Sequence, residues 1–167
     1  MRNIIVVPYN PRWSEMFRRE AAQLAAIFGP ACLAIHHIGS TSVPGLKAKP
    51  IIDMLPVVRD IEAVARFHEP LIGLGYEPMG ENGVPGRRYF RKGGDEQRSH
   101  HMHVFEEGHA EVARHLSFRD YLRVYPETAA QYAALKSALA QQFPHDIYAY
   151  MDGKDAFIKG VIELALG

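Results

Sequence analysis

The chain has 167 residues, with Lys plus Arg and Asp plus Glu at 19 each and a single Cys. This length suits one domain over residues 1–167, able to bury roughly two thirds of its unfolded surface without disulfide or metal staples. Balanced charge supplies no overall basic field to draw the chain onto nucleic acid or an anionic membrane, so any anion site has to be local. The lone Cys32 excludes an internal disulfide, and the start "MRNIIVVPYNPRW" lacks the roughly 7 to 15 consecutive apolar residues of a secretory signal. No apolar run approaches the ~20 residues that cross a bilayer. A reducing, cytoplasmic setting without a membrane partner is expected.

From Asn10 to Phe28, Trp13, Phe17, Leu24 and Phe28 recur on one helical face, and Gly29-Pro30 ends the run. Cys32 to Ile38 reads as a short strand broken by Gly39, and Pro50 to Val58 as a second, rich in Ile and Val. Asp60 caps an expected helix reaching about Leu74. Strands follow at Tyr76 to Met79, Arg87 to Arg91 and His100 to Phe105, the last two joined by the polar loop "KGGDEQRS". The period then turns helical in "HAEVARHLSFRDYLRVY", "PETAAQYAALKSALAQQF" and "GKDAFIKGVIELAL", with Pro126 at a first turn and Pro144 near a stop. This order predicts an α+β domain: a mixed or antiparallel sheet with helices packed on one face and an all-helical C-terminal half.

The stretch "HHIGSTSVPGLKAKPIIDMLPVV" concentrates polar groups between two apolar strands. Gly39 permits close approach of a ligand to backbone N–H groups that have left the sheet. Ser40, Thr41 and Ser42 add hydroxyls, and Lys47 and Lys49 add cations. These residues fit a phosphate cradle, although a helix N-cap with solvated lysines nearby fits them too. Asp53, flanked by Ile51-Ile52 and Met54-Leu55, needs a cation, a donor network or exposure at the strand end, because an unpaired charge in a strand core costs several kcal/mol.

"HIGSTSVPGLKAKPIIDMLPV" resembles the signature of the GrpB family, a branch of the DNA polymerase β-like nucleotidyltransferase superfamily. "RRYFRK", "HHMHVF", "FRDYLRVYPE", "YAALKSALA" and "YMDGKDAFI" look like its later blocks, so the resemblance runs nearly the whole chain. It implies a nucleotidyltransferase-like sheet core. It also implies metal-assisted transfer of a nucleoside monophosphate from an NTP to a small molecule or protein, with Gly39 and Ser40 cradling phosphate. The superfamily holds two metal ions on a carboxylate pair. Twelve residues separate Ser40 from Asp53, as its spacing asks, but Leu55 stands where the second carboxylate belongs. By the same analogy Lys136 and Lys154 are candidates for holding nucleotide phosphates.

On a strand "HHMHV" puts His101 and His103 on one face and His100 on the other. With Asp53 the pair forms a candidate catalytic metal site. Mg or Mn is expected for transfer chemistry, and Zn or Mn if the imidazoles ligate. Two hydrogen-bonded histidines on a half-buried sheet are the other reading. In "RRYFRK", Arg87 shares a face with Tyr89, and Arg88 shares the other with Phe90, where it suits a bidentate clamp on a phosphate or carboxylate; a solvated strand edge is the other reading for each arginine. Arg119-Asp120 reads as a structural ion pair or as helix-face charges, and His68, His109, His115 and His145 carry no assigned role. A Walker loop, a dinucleotide Gly pattern and a Gly-x-Ser-x-Gly elbow are all missing. The expected partner is therefore a nucleotide or other phosphorylated small molecule. The alternatives to transfer are a non-catalytic binding module on the same fold and a metal-dependent hydrolase using His101, His103 and Asp53.

Overall fold

The computed structural model describes residues 3–167. Five strands, β1 (Cys32–Ile38), β2 (Ile52–Val58), β3 (Tyr76–Pro78), β4 (Arg88–Lys92) and β5 (His100–Glu106), form one sheet in the order β1-β2-β5-β4-β3. Only the β2–β5 pair is parallel; the others are antiparallel. Helix α1 (Arg12–Phe28) precedes the sheet, α2 (His68–Gly73) interrupts it, and α3 (Ala110–Val124), α4 (Pro126–Gln142) and α5 (Ile147–Leu166) follow. No described helix is long and apolar enough to cross a membrane.

Strand alternation divides the sheet into two chemically different faces. Ile52, Met54, Val58, Phe90, Met102 and Val104 bury one face against Trp13, Leu24 and Phe28 of α1 and Leu71 of α2. Burying each such large side chain is worth about 1.5–3 kcal/mol. The opposite face carries Asp53, Leu55 and Val57 from β2 and His101, His103 and Phe105 from β5. There Ile38, Leu55, Val57 and Phe105 form a smaller apolar cluster, with Val112 and Leu116 of α3 packed against it. Helix α3 therefore covers the apolar end of this second face and leaves Asp53, His101 and His103 to a cleft.

Two expected boundaries change. Residues 60–74 are not one α-helix but a 3-10 run, Ile61–Phe67, followed by the short α2. Ile61, Val64 and Phe67 recur every third residue, and a 3-10 turn aligns that spacing on one face, whereas an α-helix would fan it out. Asp60 caps the run as expected, accepting from Glu62 N at 3.0 Å. Helix α5 starts at Ile147, ahead of the expected Gly153, because Asp146 provides a cap that accepts from Ala149 N at 3.1 Å.

Near the N-terminus, Val7 and Ala48 exchange backbone hydrogen bonds of 2.9 and 3.0 Å. This isolated bridge ties down the segment that carries Lys47 and Lys49 between β1 and β2.

Candidate functional site

A cleft of about 730 Å³ opens between the second sheet face and the C-terminal helices. Its floor begins at the turn after β1. Gly39 sits at φ 72°, and a β-carbon there would stand 2.8 Å from Asp53 Oδ2. Glycine is thus required twice, by backbone conformation and by the carboxylate's proximity. Two arginines of α3 fasten the turn to the helical half. Arg119 Nη1 donates to His37 O at 3.1 Å, and Arg123 donates to Ser42 O through Nε at 3.0 Å and Nη2 at 2.8 Å. Arg119 also pairs with Asp120 at 2.9 Å, the structural ion pair expected from sequence.

The three hydroxyls of the turn separate. Ser40 lines the cleft beside buried Tyr132, whose phenol burial holds well above its ordinary pKa. Thr41 also lines the cleft, but its hydroxyl is held by His37 Nε2 at 2.9 Å. Ser42 departs from expectation: its hydroxyl donates to Gly39 O, closing the turn on itself, and it lies outside the cleft lining. Lys47 is exposed and outside the lining as well.

Parallel pairing sets Asp53 directly beside His101, and alternation brings His103 to the same face two residues on. Asp53 Oδ1 lies 3.1 Å from His103 Nε2 and 3.4 Å from His101 Nδ1. Burial raises the Asp53 carboxyl's pKa, but the hydrogen bonds from both histidines outweigh it and hold the group ionised, well below the usual carboxylate range. Burial lowers the His101 pKa, with Asp53 opposing.

The three side chains expected to hold a metal do converge, each offering one ligand atom within 4.8 Å of the others. Their outer nitrogens, however, meet the wrong partners. Arg98 Nη1 lies 3.0 Å from His101 Nε2, and Arg87 Nη1 lies 3.2 Å from His103 Nδ1. Guanidinium can only donate, so both outer nitrogens accept and both inner nitrogens carry the proton toward Asp53. A metal-bound histidine shows the reverse, an inner lone pair on the ion and an outer N–H given to an acceptor. As arranged, Asp53, His101 and His103 do not fit a bound transition metal.

Three lysines occupy the opposite wall. Lys49 Nζ and Lys154 Nζ lie 5.3 and 4.7 Å from the Tyr150 ring centroid, and Lys136 Nζ lies 4.7 Å from that of Tyr132. Lys136 is 2% exposed and donates to Lys47 O. Burial, then the neighbouring Lys154 and Lys49 cations, push the Lys136 pKa down to about 7. Burial and Lys49 lower Lys154 to about 8, with Asp53 opposing. Tyr150 is fully buried, and its hydroxyl has no hydrogen-bond partner among the described residues. This wall combines costly cations with an unspent donor, the makings of an anion site.

Arg88 requires correction as a cleft residue. It shares the Phe90 face, as alternation dictates, but that face is the one packed under α1 and α2, and Arg88 ion-pairs with Glu62 there at 3.2 Å. Its neighbour Arg87 enters the cleft instead, 4.9 Å from the Tyr89 ring. His115, given no role above, lines the cleft with its ring centroid 5.8 Å from that of His103. Burial, then His103, push its pKa down to about 4. Its spacing from Glu111 and Phe118, which also line the cleft, marks one face of α3 and was the available signal.

Comparison with known proteins matches this geometry to a family. The chain is 52% identical to the UPF0157 protein YqkA of Bacillus subtilis over 98% of its own length, and it spans 48% of that relative. The crystal structure of conserved protein GrpB from Enterococcus faecalis superposes with a TM-score of 0.93 at 49% identity, over 97% of both chains. Cid1 in complex with the UTP analogue UMPNPP superposes at 0.55 and 14% identity, over 81% of this chain and 43% of Cid1. The last likeness shows the fold alone, an α+β unit shared with Cid1. The family model described as GrpB protein matches residues 3–164, so the chain belongs to the GrpB family.

Proposed function

We propose that residues 1–167 act as one domain whose cleft binds the phosphate groups of a nucleotide or a related phosphorylated small molecule. The observation that carries this reading is the grouping of Lys49, Lys136 and Lys154 with the unpartnered Tyr150 hydroxyl, in one cleft with Gly39 and Ser40. A polyphosphate would offset the cost of holding those cations together out of water and would accept from the phenol. The fold shared with Cid1, a protein solved with a UTP analogue, makes a nucleotide the first class to test.

Binding, rather than nucleotidyl transfer, is what the cleft supports best. Transfer of the two-metal kind asks for a second carboxylate beside Asp53. Leu55 holds that position, fully buried against Ile38 and Phe105, where a carboxylate could be introduced only by breaking an apolar cluster. Hydrolysis through a metal at Asp53, His101 and His103 meets the obstacle of the arginine-facing nitrogens.

Isothermal titration with inorganic triphosphate and each of the four NTPs tests the proposal. Saturable binding that falls at least ~10-fold in Lys136→Met and Lys154→Met is expected, since a charge-assisted contact is worth about 1.5–3 kcal/mol. No heat from any of these ligands at millimolar concentration would sink it.

A further inference from the structure

We infer that Arg87 and Arg98 act as tautomer clamps, holding His103 and His101 as inward N–H donors to Asp53 and so closing this centre to transition-metal ions. The ligand of the cleft then enters as a metal-free anion.

Five side chains are linked in a chain across one end of the sheet. Arg98 Nη1 meets His101 Nε2, His101 Nδ1 meets Asp53 Oδ1, Asp53 Oδ1 meets His103 Nε2, and His103 Nδ1 meets Arg87 Nη1. Each end is a group that cannot accept a hydrogen bond. The protons on both rings are therefore fixed from outside, and the two histidines carry opposite tautomers: His101 bears its proton on Nδ1, His103 on Nε2. A metal ion would need both inner nitrogens stripped, and the displaced protons would have to sit on the outer nitrogens, facing guanidinium N–H groups. The clamps are themselves braced. Arg98 donates to Gly94 O at 2.6 Å and Asp95 Oδ1 at 3.0 Å, and its side chain is only 6% exposed. Arg87 donates to Glu81 O at 3.1 Å and Asn82 O at 2.8 Å, with its guanidinium over Tyr89. Neither can swing away without losing several partners.

The cleft supplies in its own side chains the positive charge that a metal would bring to a polyphosphate. Among its described lining residues, Lys49, Arg87, Arg98, Arg114, Lys136 and Lys154 face the carboxylates of Asp53, Glu111 and Asp152. The choice of ligand rests on the phosphate reading above; the clamp does not.

Three experiments separate them. Long-range 1H–15N correlation NMR on histidine-labelled wild-type protein at neutral pH should show His101 protonated at Nδ1 and His103 at Nε2. Either ring in the other tautomer overturns the clamp, and this measurement needs no variant to fold. Co2+ titration, followed by its ligand-field absorption, should show at least ~10-fold tighter binding in Arg87→Gln/Arg98→Gln, whose amide oxygens can accept the outer N–H groups, than in wild type. Equal or tighter Co2+ binding in wild type overturns it too. For the ligand, excess Mg2+ should leave triphosphate affinity unchanged or lower, and a Mg2+-dependent gain overturns the metal-free assignment. Failure of triphosphate to bind, with the tautomers as stated, would remove the phosphate reading and leave the clamp standing.

Discussion

Gly39 and Asp53 approach so closely that a methyl group on Gly39 would stand 2.8 Å from Asp53 Oδ2 and 3.1 Å from its β-carbon. Register explains the contact: Asp53 pairs with Ile38, the last residue of β1, so the turn that follows folds over its carboxylate. Gly39→Ala combines that clash with a left-handed φ of 72°. A loss of about 2 kcal/mol is expected in denaturant unfolding, together with weakened triphosphate binding as Asp53 is displaced. Unchanged stability and affinity would mean that the turn is looser than its packing implies.

Much of this was legible in the sequence, and the misses share a cause. The strands, the α3 and α4 helices and the convergence of Asp53 with His101 and His103 follow from local period and a parallel neighbour. Lys136 and Lys154 came from family resemblance, and the cleft does contain them. Arg87 and Arg98 could not be ranked in advance, because their importance lies in which atom of a histidine they touch, a fact about register and loop path. Alternation puts Arg88, not Arg87, on the apolar face, where a cation needs an anionic partner that sequence cannot name. Glu62, brought alongside by the 3-10 run, is that partner. Ser42 shows the same limit: a hydroxyl in a glycine turn can face a ligand or close the turn, and sequence does not say which.

Lys136→Met should separate function from stability. Wild type holds a lysine that is 2% exposed, with its pKa driven to about 7, so burial of this charge opposes folding. Methionine keeps the length and removes the charge, at the cost of the bond to Lys47 O. Unchanged or raised stability is expected, alongside the affinity loss described above. A melting temperature lowered by more than a few degrees would show that the lysine is structural.

Anion binding should depend on pH through the same wall. With Lys136 near 7 and Lys154 near 8 in the free protein, both are largely neutral above pH ~9, and a bound polyphosphate would pull protons back onto them. Affinity should thus fall as pH rises through 7 to 9, and up to about two protons should be taken up per triphosphate at the alkaline end. Titrations in buffers of different ionisation enthalpy count them. Zero uptake at pH ~9 would show that the ligand does not contact these amines.

Arg88→Ala and Arg87→Ala form a paired test of the two faces. Arg88 meets Glu62 in a pair whose carboxylate partner is 80% exposed, so its loss should cost under about 1 kcal/mol and leave triphosphate affinity unaltered. Arg87→Ala should weaken that affinity several-fold. Equal effects of the two substitutions would contradict the assignment of the cleft to the Tyr89 face.

His37 should make the fold sensitive to mild acid. Its ring is buried, stacked on Phe17 at 4.7 Å and bonded to Thr41, and burial pushes its pKa from 6.5 down to about 4, with Arg123 and Arg119 adding to the effect and Asp53 opposing. The folded state therefore prefers the neutral ring, while the unfolded chain takes up a proton below pH 6.5. The stabilisation is fully present above 6.5 and is lost as pH falls toward 4, amounting to roughly 3 kcal/mol over that window. Urea unfolding at a series of pH values should show a shallower decline in His37→Gln, which cannot be protonated. Because Arg119 and Thr41 link His37 to the glycine turn, ligand affinity in wild type should weaken over the same interval. Identical pH dependence of stability in the two proteins would mean that His37 is not the acid-sensitive group.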